Sequence, residues 1–154
     1  MNRKNKGISP VVATVIIVAI AIALAIAVAL WASGLVGIFT RFEEVKVISA
    51  YADLTSGTFT VTLDLKNTGS ADATIDNVVI NGKPYSSWTG ISVEVGGSPF
   101  DPNTGFTLKS GETATMILSF SAGQGGPGFK SGQTLDIKIH TAAGHDYAKA
   151  VVLP

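Results

Sequence analysis

Hydrophobic and polar positions follow two different regimes along this chain. From Val11 to Ala32, 22 consecutive positions are apolar except for Thr14. At about 1.5 Å per residue, such a run makes roughly 33 Å of helix, close to the ~30 Å hydrocarbon thickness of a bilayer. From Glu44 onward the pattern shortens to a period of two. It predicts strands at 45–52, 58–66, 74–80, 91–95, 105–108, 113–121, 134–141 and 146–153. Phe59, Val61, Leu63 and Leu65 fall on one face of the second. Ala114, Met116, Leu118 and Phe120 share a face of another, and Leu135, Ile137 and Ile139 of a third.

Inside the apolar run, Val18 to Ala32 reads VAIAIALAIAVALWA. Strict alternation ordinarily suggests a strand, but Ala is a poor strand former. A lone strand in a membrane also leaves its backbone unpaired. Wound as a helix, the alternation puts Ala19, Ala23 and Ala27 in one row and Ala21, Ala25 and Ala29 in another, about 200° away. Ile20, Leu24 and Val28, and then Ile22, Ile26 and Leu30, form ridges between them. Small rows let helices approach closely while ridges fill neighbouring grooves. A plain single-span anchor rich in Ala has the same composition, so both readings stand.

Turn signals separate the strands: Asn67-Thr68-Gly69, Asn81-Gly82, Gly96-Gly97, Pro102 to Gly105 and Gly123 to Gly128. Short strands at this spacing predict a β-sandwich of immunoglobulin-like type. The fold class is therefore α+β, a long N-terminal hydrophobic helix followed by an all-β head. Three segments follow: a leader at 1–7, the hydrophobic helix at 8–40 and the head at 41–154.

Charge sharpens that division. No Asp, Glu, Lys or Arg occurs between Gly7 and Thr40, whereas Arg3, Lys4 and Lys6 precede the run and Arg41, Glu43 and Glu44 follow it. The positive-inside rule puts the N-terminus in the cytoplasm and the head outside. Without the leader, 8 basic and 11 acidic side chains remain, so no basic face suggests nucleic acid. The chain has no cysteine, which excludes disulfides and thiolate chemistry.

Catalytic material is scarce. Two histidines and no cysteine leave little from which to build a nucleophile with a positioned base, and no phosphate loop or carboxylate pair stands out. His140, His145 and Asp146 flank a turn and could be imagined around a metal, but two surface histidines beside a hairpin is the plainer reading. Asp101 to Gly105 lacks the alternating oxygens and closing Glu of a calcium loop. No enzyme, metal or cofactor is expected. Trp88 and the Gln124 loop are candidate contact features, and Trp31 and Phe39 suit a membrane interface.

The junction before the helix has its own logic. Ser9 can cap the helix, its hydroxyl accepting a free backbone N–H. Pro10 then occupies the first helical position, where its missing N–H costs nothing. A helix beginning there leaves the Gly7–Ile8 bond extended and open to a protease.

The stretch Lys6-Gly7-Ile8-Ser9-Pro10-Val11-Val12-Ala13-Thr14-Val15-Ile16 closely resembles the start of archaeal type IV pilins. The resemblance covers roughly the first 40 residues; the rest is similar to pilin and archaellin heads only in being a sandwich. It implies a class III signal peptide, with Lys6, Gly7 and Ile8 forming the processing site. A prepilin peptidase would cut after Gly7 and leave Ile8 as the mature N-terminus. An assembly ATPase and a membrane platform protein would then draw the subunit from the membrane into a helical homopolymer. Heads on the filament surface would serve adhesion to surfaces or cells. Val12 stands where bacterial type IV pilins carry an acidic residue, which favours the archaeal branch, and Ser-Pro-Val-Val ranks pilin above archaellin.

Two other functions remain in view. One is a membrane-anchored extracellular binding module with a pilin-like leader. The other is a secreted soluble domain, since Ala27-Val28-Ala29 fits a small-x-small cleavage pattern.

Overall fold

The structure, a computed structural model, describes residues 9–34, 41–122 and 128–154. The leader and processing site 1–8, Phe39 and the Gln124 loop lie outside the described residues. The chain divides into two compact units, Met1–Arg41 and Phe42–Pro154.

In the first unit, α1 spans Pro10–Ala32 with proline in its first turn and Ser9 immediately before it. The Ser9 carbonyl accepts the Ala13 N–H at 3.1 Å. Its hydroxyl, however, caps nothing. That corrects the expected side-chain cap: the first turn is exposed, so solvent can serve the free N–H groups that a cap would otherwise have to satisfy. The helix ends at Ala32, and residues 35–40 lie outside the described residues. Gly34, at φ +72°, takes the left-handed conformation that ends helices, and its N–H bonds the Trp31 carbonyl at 3.1 Å.

The second unit is a two-sheet sandwich. Its strands are β1 (Val45–Thr55), β2 (Thr58–Asn67), β3 (Ala73–Ile80), β4 (Lys83–Pro84), β5 (Ile91–Val95), β6 (Ser98–Pro99), β7 (Phe106–Leu108), β8 (Thr113–Ser121), β9 (Thr134–Thr141) and β10 (Asp146–Val152). One sheet has the order β1-β2-β8-β5-β6 and the other β10-β9-β3-β4, with β7 also on β3. Leaving out the short strands, this is the ABED and GFC arrangement of an immunoglobulin constant-type sandwich. The two-residue strands β4 and β6 carry no periodicity and escape a sequence reading. Gly105 belongs to a turn rather than to β7, at φ +66° with its N–H on the Asp101 carbonyl.

Hairpin geometry follows from turn chemistry. Ser56-Gly57, Asn81-Gly82 and Gly96-Gly97 each place two successive residues at positive φ. That is the type I′ turn, whose twist matches the strands it joins.

The alternating residues point inward as their period demands. Phe59, Val61, Leu63, Leu65, Met116, Leu118, Phe120, Leu135, Ile137 and Ile139 are all buried. No disulfide ties the sheets. Instead, aromatic rings run through the core: Phe59 to Phe120 at 5.5 Å, Phe120 to Phe129 at 5.5 Å, and Phe129 to Trp88 at 5.0 Å between centroids. The Trp88 indole N–H reaches the Ile80 carbonyl at 3.3 Å. Among the described residues, every buried apolar one lies within the head, which has its own core.

One polar side chain is fully buried to good effect. Asn67 donates from Nδ2 to the Ala71 carbonyl at 2.8 Å and the Leu108 carbonyl at 2.9 Å, and its Oδ1 accepts the Gly69 N–H at 2.9 Å. It thereby closes the 67–71 turn and ties it to the end of β7. Gly69 is required there: a Cβ would sit 2.5 Å from the Phe42 carbonyl oxygen and 2.6 Å from the Glu44 nitrogen.

Candidate functional site

The chain's most unusual surface is α1 itself. None of its residues is buried. Val11, Val12, Val15, Ile16, Ile17, Val18, Ile20, Ile22, Leu24, Ile26, Val28, Leu30 and Trp31 are all exposed, Trp31 by 74%. A helix apolar all round belongs in a membrane or in a core built by other chains. At about 1.5 kcal/mol or more per large side chain, withdrawing this surface from water is worth on the order of 20 kcal/mol. That is more than the ~5–15 kcal/mol net stability of an ordinary domain, so this surface strongly favours an apolar environment.

The helix is long enough and apolar enough to cross a membrane. Its one polar residue within the run does not oppose this. The Thr14 hydroxyl donates to the Val11 carbonyl at 2.9 Å and so needs no outside partner. Ser33 does the same to Leu30 at 2.9 Å.

Ala19, Ala21, Ala23, Ala25, Ala27 and Ala29 all lie on this single helix, as do the bulky rows between them. A shallow open groove runs past Ala19, lined by Thr14, Val15, Val18 and Ile22. A small residue between larger ones makes a notch of the kind a neighbouring ridge can enter.

The titratable groups described in the head pair locally. His140 Nδ1 lies 2.6 Å from Asp76 Oδ1, and this hydrogen bond is the main reason its pKa is raised. Asp76 is 64 positions away in sequence, on β3, and sequence reading gave no hint of it. The register explains the pairing, because His140 sits opposite Asn77, next to a bulge between Ile75 and Asn77. His145 is not part of that pair; its ring lies 6.4 Å from Tyr147. Asp146 instead meets Lys138 at 3.4 Å. No group of three metal-ligating side chains occurs among the described residues.

Asp101 closes its own turn, with Oδ1 accepting from the Asn103 backbone and side-chain amides at 2.9 Å each. Trp88 is half-buried against Phe129, with the Lys83 ammonium 5.3 Å above its ring, and is a core residue more than a contact feature. Asp64 accepts the hydroxyls of Ser49 at 2.5 Å and Thr115 at 2.9 Å, which lowers its pKa, the Ser49 bond contributing most.

No family model matches the chain, and no curated protein does. Among solved structures, it is similar to a lipoprotein from Bacteroides thetaiotaomicron, with 11% identity over 73% of this chain and 78% of that one, at a TM-score of 0.40. It is also similar to a flagellar-like filament, with 13% identity over 94% of this chain and 98% of that one, at a TM-score of 0.38. Neither likeness is close enough to bear on partner or activity.

Proposed function

We propose that this protein is the structural, non-enzymatic subunit of an extracellular type IV pilus-like filament. One observation carries the reading: a helix exposed and apolar on every side is joined to a head that has its own core. Such a helix has two apolar environments open to it, the bilayer before assembly and the helices of other copies afterwards. The Ala rows and the ridges between them suit close packing on several sides. The Lys6-Gly7-Ile8 junction supplies the step between the two states, cleavage by a prepilin peptidase. An assembly ATPase and a platform protein then move the subunit into the polymer. The head remains outside the cell and makes the filament's adhesive surface.

The experiment is the N-terminal residue and intact mass of the protein in a sheared extracellular fraction. Polymeric material beginning at Ile8 is the expected result. A chain beginning at Met1 and retained in membranes would replace the filament with an anchored binding module. A mature start at Leu30 would mean a secreted domain.

A further inference from the structure

β1 is one of the head's two long edge strands and runs near the other, β10. β1 lies at the end of its sheet and pairs only with β2. The exposed large apolar residues of the described head are confined to this strand, its lead-in and the other long edge strand: Phe42, Ile48, Tyr51 and Leu54, with Val152 on β10. Edge strands are usually short or blunted by charge, because unpaired N–H and C=O groups invite a partner. β1 has 11 residues and carries Lys46 and Asp53 as its only charges.

We infer that β1 is a self-pairing edge, by which the heads of two copies of this chain join antiparallel about a two-fold axis at Ala50. The occupant follows from matching the strand against itself. Toward β2, the register shifts by one residue between Val47 and Ser49, which makes Ile48 the extra residue of a bulge. With the bulge counted the same way on the free side, the symmetric alignment sets Lys46 opposite Asp53, Val47 opposite Ala52, Ile48 and Ser49 opposite Tyr51, and Ala50 opposite its own copy. Each outward charge meets its opposite, and the exposed Ile48 meets the exposed Tyr51. Half-buried Val47 meets half-buried Ala52, and half-buried Ala50 its own copy.

The backbone agrees with this alignment. Asn67 bonds Glu112 and Gly111 through its own N–H and carbonyl, on the side away from β1. Its partner Val45 therefore turns its groups to the free edge, and so by alternation do Val47, Ala50, Ala52 and Leu54. The Val45 N–H is already taken by the Tyr147 hydroxyl. Val47, Ala50 and Ala52 remain, and these are the residues the alignment makes hydrogen-bonding pairs. A bulge and charges on an edge ordinarily discourage pairing. Here they coincide with their counterparts in a single register, so they select a partner instead. This contact goes beyond the filament reading. A two-fold contact is isologous, whereas all subunits of a polar filament point the same way, so it joins heads of separate filaments or of separate membrane-resident chains.

The absence of native cysteine makes the test clean. Lys46 and Asp53 would face each other as a non-hydrogen-bonded pair, with Cα atoms about 4.5 Å apart, inside the range a disulfide bridges. Within one chain they are seven strand steps apart, roughly 23 Å, so no internal bridge can form. The full chain in detergent micelles, carrying Lys46→Cys and Asp53→Cys together, is oxidised and run without reductant. The expected result is a covalent dimer at several times the yield of either single variant. A yield no greater than that of the singles overturns the proposal. Should the double variant fail to fold, the unaltered chain gives an independent reading. A zero-length carbodiimide links Lys46 to Asp53 of another copy, and Lys46→Asp abolishes the link while Lys46→Asp with Asp53→Lys restores it. Absence of that link in the unaltered chain overturns the proposal equally. Neither measurement depends on filament formation.

Discussion

Replacing Asn67 by Ala tests how the head holds the 67–71 turn against β7. The side chain is fully buried and makes three hydrogen bonds, to the Ala71 and Leu108 carbonyls and from the Gly69 N–H. Each is worth about 1 kcal/mol net, and leaving a buried Leu108 carbonyl without its donor costs about 1 kcal/mol more. Asn67→Ala should therefore destabilise the head by about 3–4 kcal/mol. For a domain of this size, each kcal/mol shifts Tm by about 4 °C, so the midpoint should fall by roughly 12–16 °C. The assay is thermal unfolding followed by near-ultraviolet circular dichroism. Thr68→Ala serves as the control: its hydroxyl bonds Glu44 at 2.6 Å on the exposed surface, and its loss should cost under about 1 kcal/mol. If the two variants melt within about 3 °C of each other, Asn67 is not the fastening described and the reasoning fails.

Three further outcomes are expected. Ala23→Leu or Ala25→Leu should still insert into membranes but give few or no extracellular filaments by electron microscopy, because bulk fills a row needed for close approach; normal filaments from both would refute the packing role. Gly7→Val should accumulate uncleaved precursor on a gel, and unchanged processing would contradict the junction reading. His140 has its pKa raised above the usual 6.5, chiefly by the Asp76 hydrogen bond, so its contribution is present below about pH 6.5 and fades as pH rises through the folded-state value. Denaturant midpoints at pH 5.5 and 8.5 should show that loss in the native chain, and Asp76→Asn should flatten it.

Much of the head was legible because β-structure declares itself through period two. Strands at 91–95, 113–121 and 134–141 match their observed bounds, and their inward residues are those the alternation selects. The misses have specific causes. A two-residue strand has no period, and Gly105 sits beside β7 in sequence but serves a turn. Ser9 has the composition of a cap, yet composition does not aim a hydroxyl.

For the helix, the sequence by itself determined almost everything the structure describes. An apolar run of this length has few stable conformations, and the proline and glycine that bound it act locally. For the head, it determined the strands and the inward faces, since both depend on neighbours one or two residues away. Only the tertiary structure decided which strands lie side by side. That choice brought Asp76 to His140, set Asn67 among three distant backbone groups, and put β1 at the edge of its sheet. Those contacts span tens of residues, and the periodicity of a strand carries no information about its partner across a sheet.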